Sequence, residues 1–152
     1  MHVRLADHAA TEAFATHLSQ YLRQGDLVTF EGDLGVGKTT VARQIIRTLS
    51  ERPAEEVASP TFNLVLIYAF PRLTIWHFDL YRIEAPEETW EIGLEDALAE
   101  GIALVEWPDR LGPYLPEDRI DIGLTYDGGG RAAEVTGRGT LEDRVSSWQE
   151  LA

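Results

Sequence analysis

The chain has 152 residues, of which 44% are apolar and 26% charged, and this composition favours one folded domain, which we expect to span residues 1–152. Because the chain has no cysteine, its sequence excludes disulfides, thiolate metal ligands and cysteine nucleophiles. The formal net charge of −13 would repel phosphate backbones and argues against direct tight binding of nucleic acid, while the lack of a long apolar run and of a leader pattern predicts a cytoplasmic protein without a membrane span.

The predicted secondary structure mixes strands, helices and hairpins. In chain order, the sequence predicts a strand at 2–5, a helix at 6–25, a strand at 26–32, a helix at 39–51, a hairpin at 63–81, an acidic helical region at 85–101, a strand at 102–107, a hairpin at 119–137 and a C-terminal helix at 140–152. Apolar Phe14 and Leu18 recur at helical spacing in the first helix, which we expect Asp7 or Thr11 to begin and Gly25 to end.

Proline and glycine residues between or within these segments help to predict the fold class. We expect Pro53 to stop the second helix, and Gly93 lies inside the acidic helical region. Only Pro71 and Arg72 separate two strand-like runs, which is the spacing of an antiparallel hairpin. Because a purely doubly wound sheet lacks such hairpins, the sequence predicts an α/β protein with a mixed, partly antiparallel sheet.

A glycine-rich loop, residues 32–39, lies between a predicted strand and a predicted helix and fits the phosphate-loop pattern G-x-x-x-x-G-K-[ST]. Glycines let main-chain N–H groups approach phosphate oxygens, and the following helix adds its positive end. Lys38, the only lysine of the chain, can reach the β- and γ-phosphates, and the Thr39 hydroxyl can bind Mg²⁺. The candidate nucleotide-binding residues here are Gly32, Asp33, Leu34, Gly35, Val36, Gly37, Lys38, Thr39 and Thr40.

ATP is favoured over GTP as the nucleotide. Guanine-specific proteins of this type use an Asn-Lys-x-Asp motif, which this chain cannot contain because its one asparagine, Asn63, is followed by leucine.

Two carboxylates stand at the ends of predicted strands, where phosphoryl transfer needs a metal-linked acid and a group that orients water. Asp79 ends one strand and Glu106 another, and either could hold the metal or act in catalysis. An ion pair with Arg82 is the structural alternative for Asp79, and a structural role is also open for Glu106 and for His77. Thr61, in a loop stiffened by proline, could sense the γ-phosphate or belong to an ordinary turn.

An acidic segment, residues 83–109, contains nine carboxylates and no lysine, arginine or histidine. Such a run is typical of a solvated helix face. The alternative is a docking face for a basic partner.

Five motifs in this order and spacing, GDLGVGKTT, SPTFNLV, HFDLYR, GLEDAL and VEWPD, resemble those of the TsaE family, and the resemblance covers residues 7–135. It implies a P-loop NTPase-like three-layer sandwich that binds ATP or ADP with Mg²⁺ and hydrolyses ATP weakly when alone. The implied partners are TsaD and TsaB, which transfer a threonylcarbamoyl group to adenosine 37 of tRNAs reading ANN codons, so that tRNA is met only through the complex. Hydrolysis would permit multiple turnovers of that complex.

The same resemblance implies roles for individual residues. Thr39 and Glu106 would be linked to the metal, Asp79 would be a supporting or catalytic carboxylate and metal neighbour, and Thr61 would be the switch threonine. Lys38 would act on the phosphates. Thr11 and Arg131 would lie near the nucleotide, and Val36 departs from the alanine usual in the family.

Two other functions stay open at this point. A small-molecule kinase also uses a phosphate loop with Mg²⁺, although the acidic segment lacks the arginines of a kinase lid. A nucleotide sensor that binds a partner without hydrolysing ATP would keep its function when Glu106 is replaced by glutamine.

Overall fold

The computed structural model describes residues 1–52 and 57–149. Its strands are β1 (His2–Leu5), β2 (Leu27–Glu31), β3 (Val65–Phe70), β4 (Leu73–Asp79), β5 (Ile102–Glu106), β6 (Arg119–Asp127) and β7 (Gly130–Arg138). Its α-helices are α1 (His8–Ser19), α2 (Lys38–Leu49), α3 (Leu94–Glu100) and α4 (Glu142–Ser146). The described residues also form three segments of 3₁₀-helix: Pro86–Thr89, Pro108–Tyr114 and Gly139–Leu141.

The strands form one mixed sheet in the order β1-β7-β6-β2-β5-β4-β3. The central strand β2 runs parallel to both β5 and β6, and β5 runs parallel to β4. The two predicted hairpins, β3–β4 and β6–β7, are antiparallel, and β1 adds an antiparallel edge. The mixed, partly antiparallel α/β fold predicted from the sequence is therefore confirmed.

Side chains alternate between two apolar layers along the central strands, as the two-residue period of a strand requires. Val28 and Phe30 of β2 pack in the layer that contains α1 and α2. Leu27 of the same strand packs in the opposite layer with Ala97 of α3 and Val105 of β5. Helices therefore cover both faces of the central strands. Among the described helices, none is long and apolar enough to cross a membrane.

Helix α1 begins where the sequence predicts and ends earlier. Asp7 is the N-cap, since its Oδ1 accepts a hydrogen bond of 2.8 Å from the Ala10 amide. The helix ends at Ser19, six residues before the predicted end at Gly25, because the next three amides bond three residues back and tighten the chain into a turn. Gly25 instead has φ +94 and turns the chain into β2.

The acidic helical region is also divided. Gly93, with φ +92, separates the 3₁₀ turn Pro86–Thr89 from α3, and an added Cβ would lie 3.0 Å from the Trp76 ring. The predicted stop of the second helix at Pro53 lies outside the described residues, although α2 itself ends at Leu49. In the C-terminal segment the described α-helix is confined to Glu142–Ser146.

Candidate functional site

The glycine-rich loop joins β2 to α2, in the context that the sequence predicts. Gly32, Gly35 and Gly37 have φ values of +146, +82 and +121, which side chains with a Cβ rarely adopt. At Gly32 a Cβ would also lie 2.5 Å from the carbonyl oxygen of Leu124, so even alanine would collide there. The loop is thus held close to β6 by a contact that only glycine permits.

Lys38, the first residue of α2, folds its side chain back over the loop and is 5% exposed. Its Nζ donates hydrogen bonds to the carbonyl oxygens of Gly32 and Asp33, the second at 3.0 Å, and lies 4.2 Å from the centroid of the Trp107 ring. Burial lowers the pKa of Lys38, and the nearby carboxylates of Glu106 and Asp79 partly offset that effect. The ammonium is therefore held at the mouth of the loop with its charge poorly solvated.

Three polar side chains, two of them buried and Thr39 partly buried, form a hydrogen-bonded chain behind the loop. Thr39 Oγ1 donates to Glu106 Oε1 at 2.7 Å, and His77 Nε2 lies 2.7 Å from Glu106 Oε2. Glu106 is 2% exposed and His77 fully buried. Because the carboxylate accepts, His77 must carry its hydrogen on Nε2, while its Nδ1 is buried without a hydrogen-bond partner among the described residues. Both carboxylate oxygens of Glu106 are thus fixed in place.

Asp79 lies beside Glu106 because the two residues are paired in the parallel β4–β5 register. Its Oδ2 accepts a hydrogen bond of 2.9 Å from the Thr61 hydroxyl, and its Oδ1 accepts one of 3.0 Å from the Tyr81 amide. The alternative ion pair with Arg82 is not formed between these two described residues, and the Arg82 guanidinium lies 4.4 Å from the centroid of the Phe62 ring instead. The loop threonine and the strand-end carboxylate therefore form one unit.

These groups surround a cavity of about 190 Å³ at the carboxyl edge of the sheet. It is lined by Leu34, Gly35, Gly37, Lys38, Thr39, Thr40, Thr61, Asp79, Glu106 and Trp107. The tertiary structure thus brings the loop, both strand-end carboxylates and the predicted switch threonine to one place. A carboxyl edge of parallel strands is where α/β proteins bind their ligands.

The remaining candidate residues are not in the lining of this cavity, and of Thr11 the structure shows only contacts within α1 and its N-cap. Val36 is buried in the core beneath the loop, and Asp33 contributes its main-chain carbonyl to Lys38. Arg131, at the start of β7, reaches the amino end of α2, where its Cδ and Nε would lie 3.7 Å from a Cβ added at Gly37. Thr11 is buried in the first turn of α1, where its hydroxyl donates to the Asp7 carbonyl at 3.2 Å.

Trp107 and His77 contribute more to the site than their sequence context indicates. Trp107 has φ +59, an unfavourable conformation for a bulky residue, and its ring lies 5.0 Å from that of Tyr81. Such strained residues collect at functional sites. The sequence contained one signal for the contact of His77 with Glu106. Residues 77 and 79 are two positions apart in a predicted strand, so their side chains lie on the same face of the sheet.

The donor set fits a nucleotide phosphate and Mg²⁺. Arg131 Nε is buried without a hydrogen-bond partner among the described residues and lies against the glycine-rich loop, so an anion bound at the loop would supply the acceptor that it lacks. Mg²⁺ prefers oxygen ligands, keeps several waters and needs only one or two protein side chains in addition to phosphates. The Thr39 hydroxyl, already bonded to Glu106, is such an oxygen.

Comparison with known proteins identifies the family. Residues 5–133 match the family model described as "Threonylcarbamoyl adenosine biosynthesis protein TsaE". The protein of that name from Rickettsia bellii is 41% identical over 114 residues, covering 75% of this chain and 78% of the relative. The protein of that name from Nostoc sp. is 39% identical over 138 residues, covering 87% of this chain and 83% of the relative.

The fold has a counterpart among solved structures. The crystal structure of Bacillus subtilis YdiB superposes with a TM-score of 0.77 and 26% identity, covering 96% of this chain and 90% of that one. The TsaE protein of the same organism is 34% identical over 120 residues of this chain. Sequence, fold and family model agree, and the chain belongs to the TsaE family.

Proposed function

We propose that this chain is a cytoplasmic, Mg²⁺-dependent ATPase of tRNA threonylcarbamoyladenosine synthesis, with residues 1–152 as one domain. It would hydrolyse ATP slowly when alone and faster with TsaD and TsaB. The tRNA would be contacted by those partners, and hydrolysis here would permit multiple turnovers of the threonylcarbamoyl transfer to adenosine 37. The names of the relatives support the place in tRNA modification, and the chemistry of the cavity supports the ATPase.

The observation that carries the ATPase proposal is the 2.7 Å hydrogen bond from Thr39 to Glu106 directly beneath the glycine-rich loop. The loop supplies main-chain N–H groups, α2 supplies the positive end of a helix, and Lys38 supplies a cation for the phosphates. With its hydrogen donated to Glu106, the Thr39 oxygen keeps its lone pairs directed away for Mg²⁺. When bound, Mg²⁺ would neutralise charge on the phosphate oxygens.

The second carboxylate has the surroundings of a group that orients water. Asp79 borders the same cavity and holds the hydroxyl of Thr61, which itself lies 2.7 Å from Ser59 Oγ. We assign Glu106 to the metal-linked role because it bonds Thr39, and Asp79 with Thr61 to the attacking water. The role of Lys38 is to balance charge that develops on the phosphates during transfer.

The test is ATP hydrolysis by the purified protein with Mg²⁺, alone and with TsaD plus TsaB. Lys38→Ala should abolish the stimulated activity, whereas Arg43→Ala, which removes a cation from the same helix outside the cavity lining, should retain it. Glu106→Gln should bind ATP without hydrolysing it.

Other outcomes would favour the alternatives. If Glu106→Gln still supports tRNA modification in cells that lack the native protein, the chain is a nucleotide sensor. Transfer of labelled phosphate from ATP to small acceptors, with water as a poor competitor, would establish a kinase.

A further inference from the structure

A second depression lies on the opposite side of the sheet from α1 and α2, between the 3₁₀ segments Pro86–Thr89 and Pro108–Tyr114 and the start of α3. Its volume is about 400 Å³, at the lower end of the roughly 300–1,000 Å³ typical of ligand clefts. We call it the acidic groove, and it is lined by Thr89, Trp90, Glu91, Gly93, Leu94, Glu95, Asp96, Leu111 and Tyr114. None of these residues lines the cavity at the glycine-rich loop.

Two exposed aromatic rings form one wall of the acidic groove. Trp90 is 66% exposed and Tyr114 40% exposed, and their centroids lie 5.6 Å apart with the rings edge to face. Large aromatic side chains left in water cost free energy that packing in the core would recover. The exposed face of a tryptophan ring also attracts cations, more strongly than tyrosine or phenylalanine does.

Three carboxylates, Glu91, Glu95 and Asp96, line the same groove. All ion pairs among residues 1–52 and 57–149 involve other carboxylates, so these three have no basic partner among the described residues. Glu88 differs, since its carboxylate accepts hydrogen bonds from the amides of Glu84 and Ala85 and caps its own turn. The acidic segment thus contains a carboxylate that caps a turn, Glu88, and three carboxylates without a basic partner that lie beside aromatic rings.

The chemistry of this wall selects an organic cation. The three carboxylates of the groove are exposed and lie beside aromatic rings, whose faces attract organic cations. Nucleic acids and anionic membranes would be repelled by a protein of net charge −13. An arginine side chain satisfies both features, because its planar guanidinium stacks on aromatic rings and bonds carboxylates through several donors.

We propose that the acidic groove is a docking site for an arginine-bearing segment of a protein partner. We take TsaD–TsaB to be that partner, and this identification rests on the proposed function. The preference of the groove for an arginine side chain is independent of the proposed function. The groove is also connected to the ATP site through the chain. The segment Pro108–Tyr114 follows directly after Glu106 and Trp107, and its Gly112 packs so closely on Pro86 that an added Cβ would lie 2.9 Å from Cγ. A partner seated there would contact a segment that continues from the metal-linked carboxylate.

The first experiment uses a capped peptide, Gly-Arg-Gly-Arg-Gly, and the same peptide with citrulline, which is neutral and of the same shape. Indole N–H resonances are followed by NMR at about 0.15 M salt, where the Debye length is about 8 Å and distant charges are screened. Trp90→Phe assigns the Trp90 resonance among the four tryptophans. We expect this resonance to shift to saturation with the arginine peptide and to stay in place with citrulline.

Matched variants separate the groove from general acidity. Glu95→Gln with Asp96→Asn removes two charges that line the groove, whereas Glu87→Gln with Glu100→Gln removes two charges of the same segment outside its lining. The first pair should weaken peptide binding about fivefold, the scale of two lost exposed ion pairs, and the second pair less than about twofold. Equal weakening by both pairs, or an unmoved Trp90 resonance, would overturn the proposal.

The partner itself is tested with the same variants and purified TsaD–TsaB, without nucleotide and then with ATP. Loss of binding in the groove pair alone assigns the groove to that partner. Full binding of the groove pair, with the peptide effect intact, removes TsaD–TsaB as the occupant and leaves the ATPase proposal untouched. ATP affinity should be unchanged in every variant, which also shows that each one is folded.

Discussion

The buried pair of His77 and Glu106 offers a sharp test of how the site is held together. His77→Leu removes the imidazole that lies 2.7 Å from Glu106 Oε2 and leaves that oxygen without its donor in a place 2% exposed. Removing one member of a buried pair costs about 3–5 kcal/mol, because the remaining group stays buried and unpaired. At the lower figure, a chain of this length should lose about 6–12 °C in melting temperature.

The assay is urea unfolding of the nucleotide-free protein, followed by tryptophan fluorescence, for wild type, His77→Leu, Glu106→Leu and the double variant. We expect the double variant to cost at least about 2 kcal/mol less than the sum of the single ones, since replacing both partners leaves fewer orphaned groups. His77→Gln, which keeps a donor, should restore part of the loss.

An exposed pair of the same residue types is the matched control. His8 and Glu12 lie 3.2 Å apart on the surface of α1, and their cycle should be additive within about 0.5 kcal/mol. If the buried cycle is equally additive, or if His77→Leu costs less than about 1 kcal/mol, then His77 does not hold Glu106 and the reasoning is wrong.

Three further predictions concern the loop, the C-terminal segment and pH. Gly32→Ala should lower the free energy of unfolding by about 2 kcal/mol and weaken ATP binding, both measurable by urea unfolding and calorimetry, because its Cβ would lie 2.5 Å from the Leu124 carbonyl oxygen at φ +146. Arg144→Leu should cost about 3 kcal/mol in the same unfolding assay, since it leaves Asp26, 5% exposed, without its bidentate partner. Burial lowers the pKa of Lys38 in the folded protein. Between that lowered pKa and pH 10.5, residue 38 therefore binds more protons in the unfolded chain than in the folded one. Relative to Lys38→Met, the free energy of unfolding should therefore rise with pH in this window; a difference that is flat or falls would contradict the assignment.

Much of the local structure could be predicted from the sequence. The strand before the glycine-rich loop, the helix after it and both hairpins are where their periodicity and turn residues indicate. Boundaries were less predictable. Helix α1 ends at Ser19 rather than at Gly25, and the acidic region divides at Gly93, because the chain must turn to meet the sheet and the Trp76 ring occupies the space beside Gly93.

The candidate site divides in the same way. The loop pattern and the two strand-end carboxylates, Asp79 and Glu106, can be read from residue types and positions along the chain. That these carboxylates are neighbours depends on β5 pairing with β4 on one side and β2 on the other. The contact between His77 and Glu106 follows from the same strand pairing.

The sequence by itself determined the element types, the phosphate-loop pattern and the excess of acid, because helix and strand periods, turn residues and charge are properties of neighbours along the chain. Only the tertiary structure decided the strand order, the pairing of Thr39 with Glu106 and the meeting of Trp90 with Tyr114 across the acidic groove. Those contacts join residues far apart in the chain. They depend on how apolar surface is buried and polar groups are hydrogen-bonded over the whole fold, and a pattern of neighbouring residues does not contain that information.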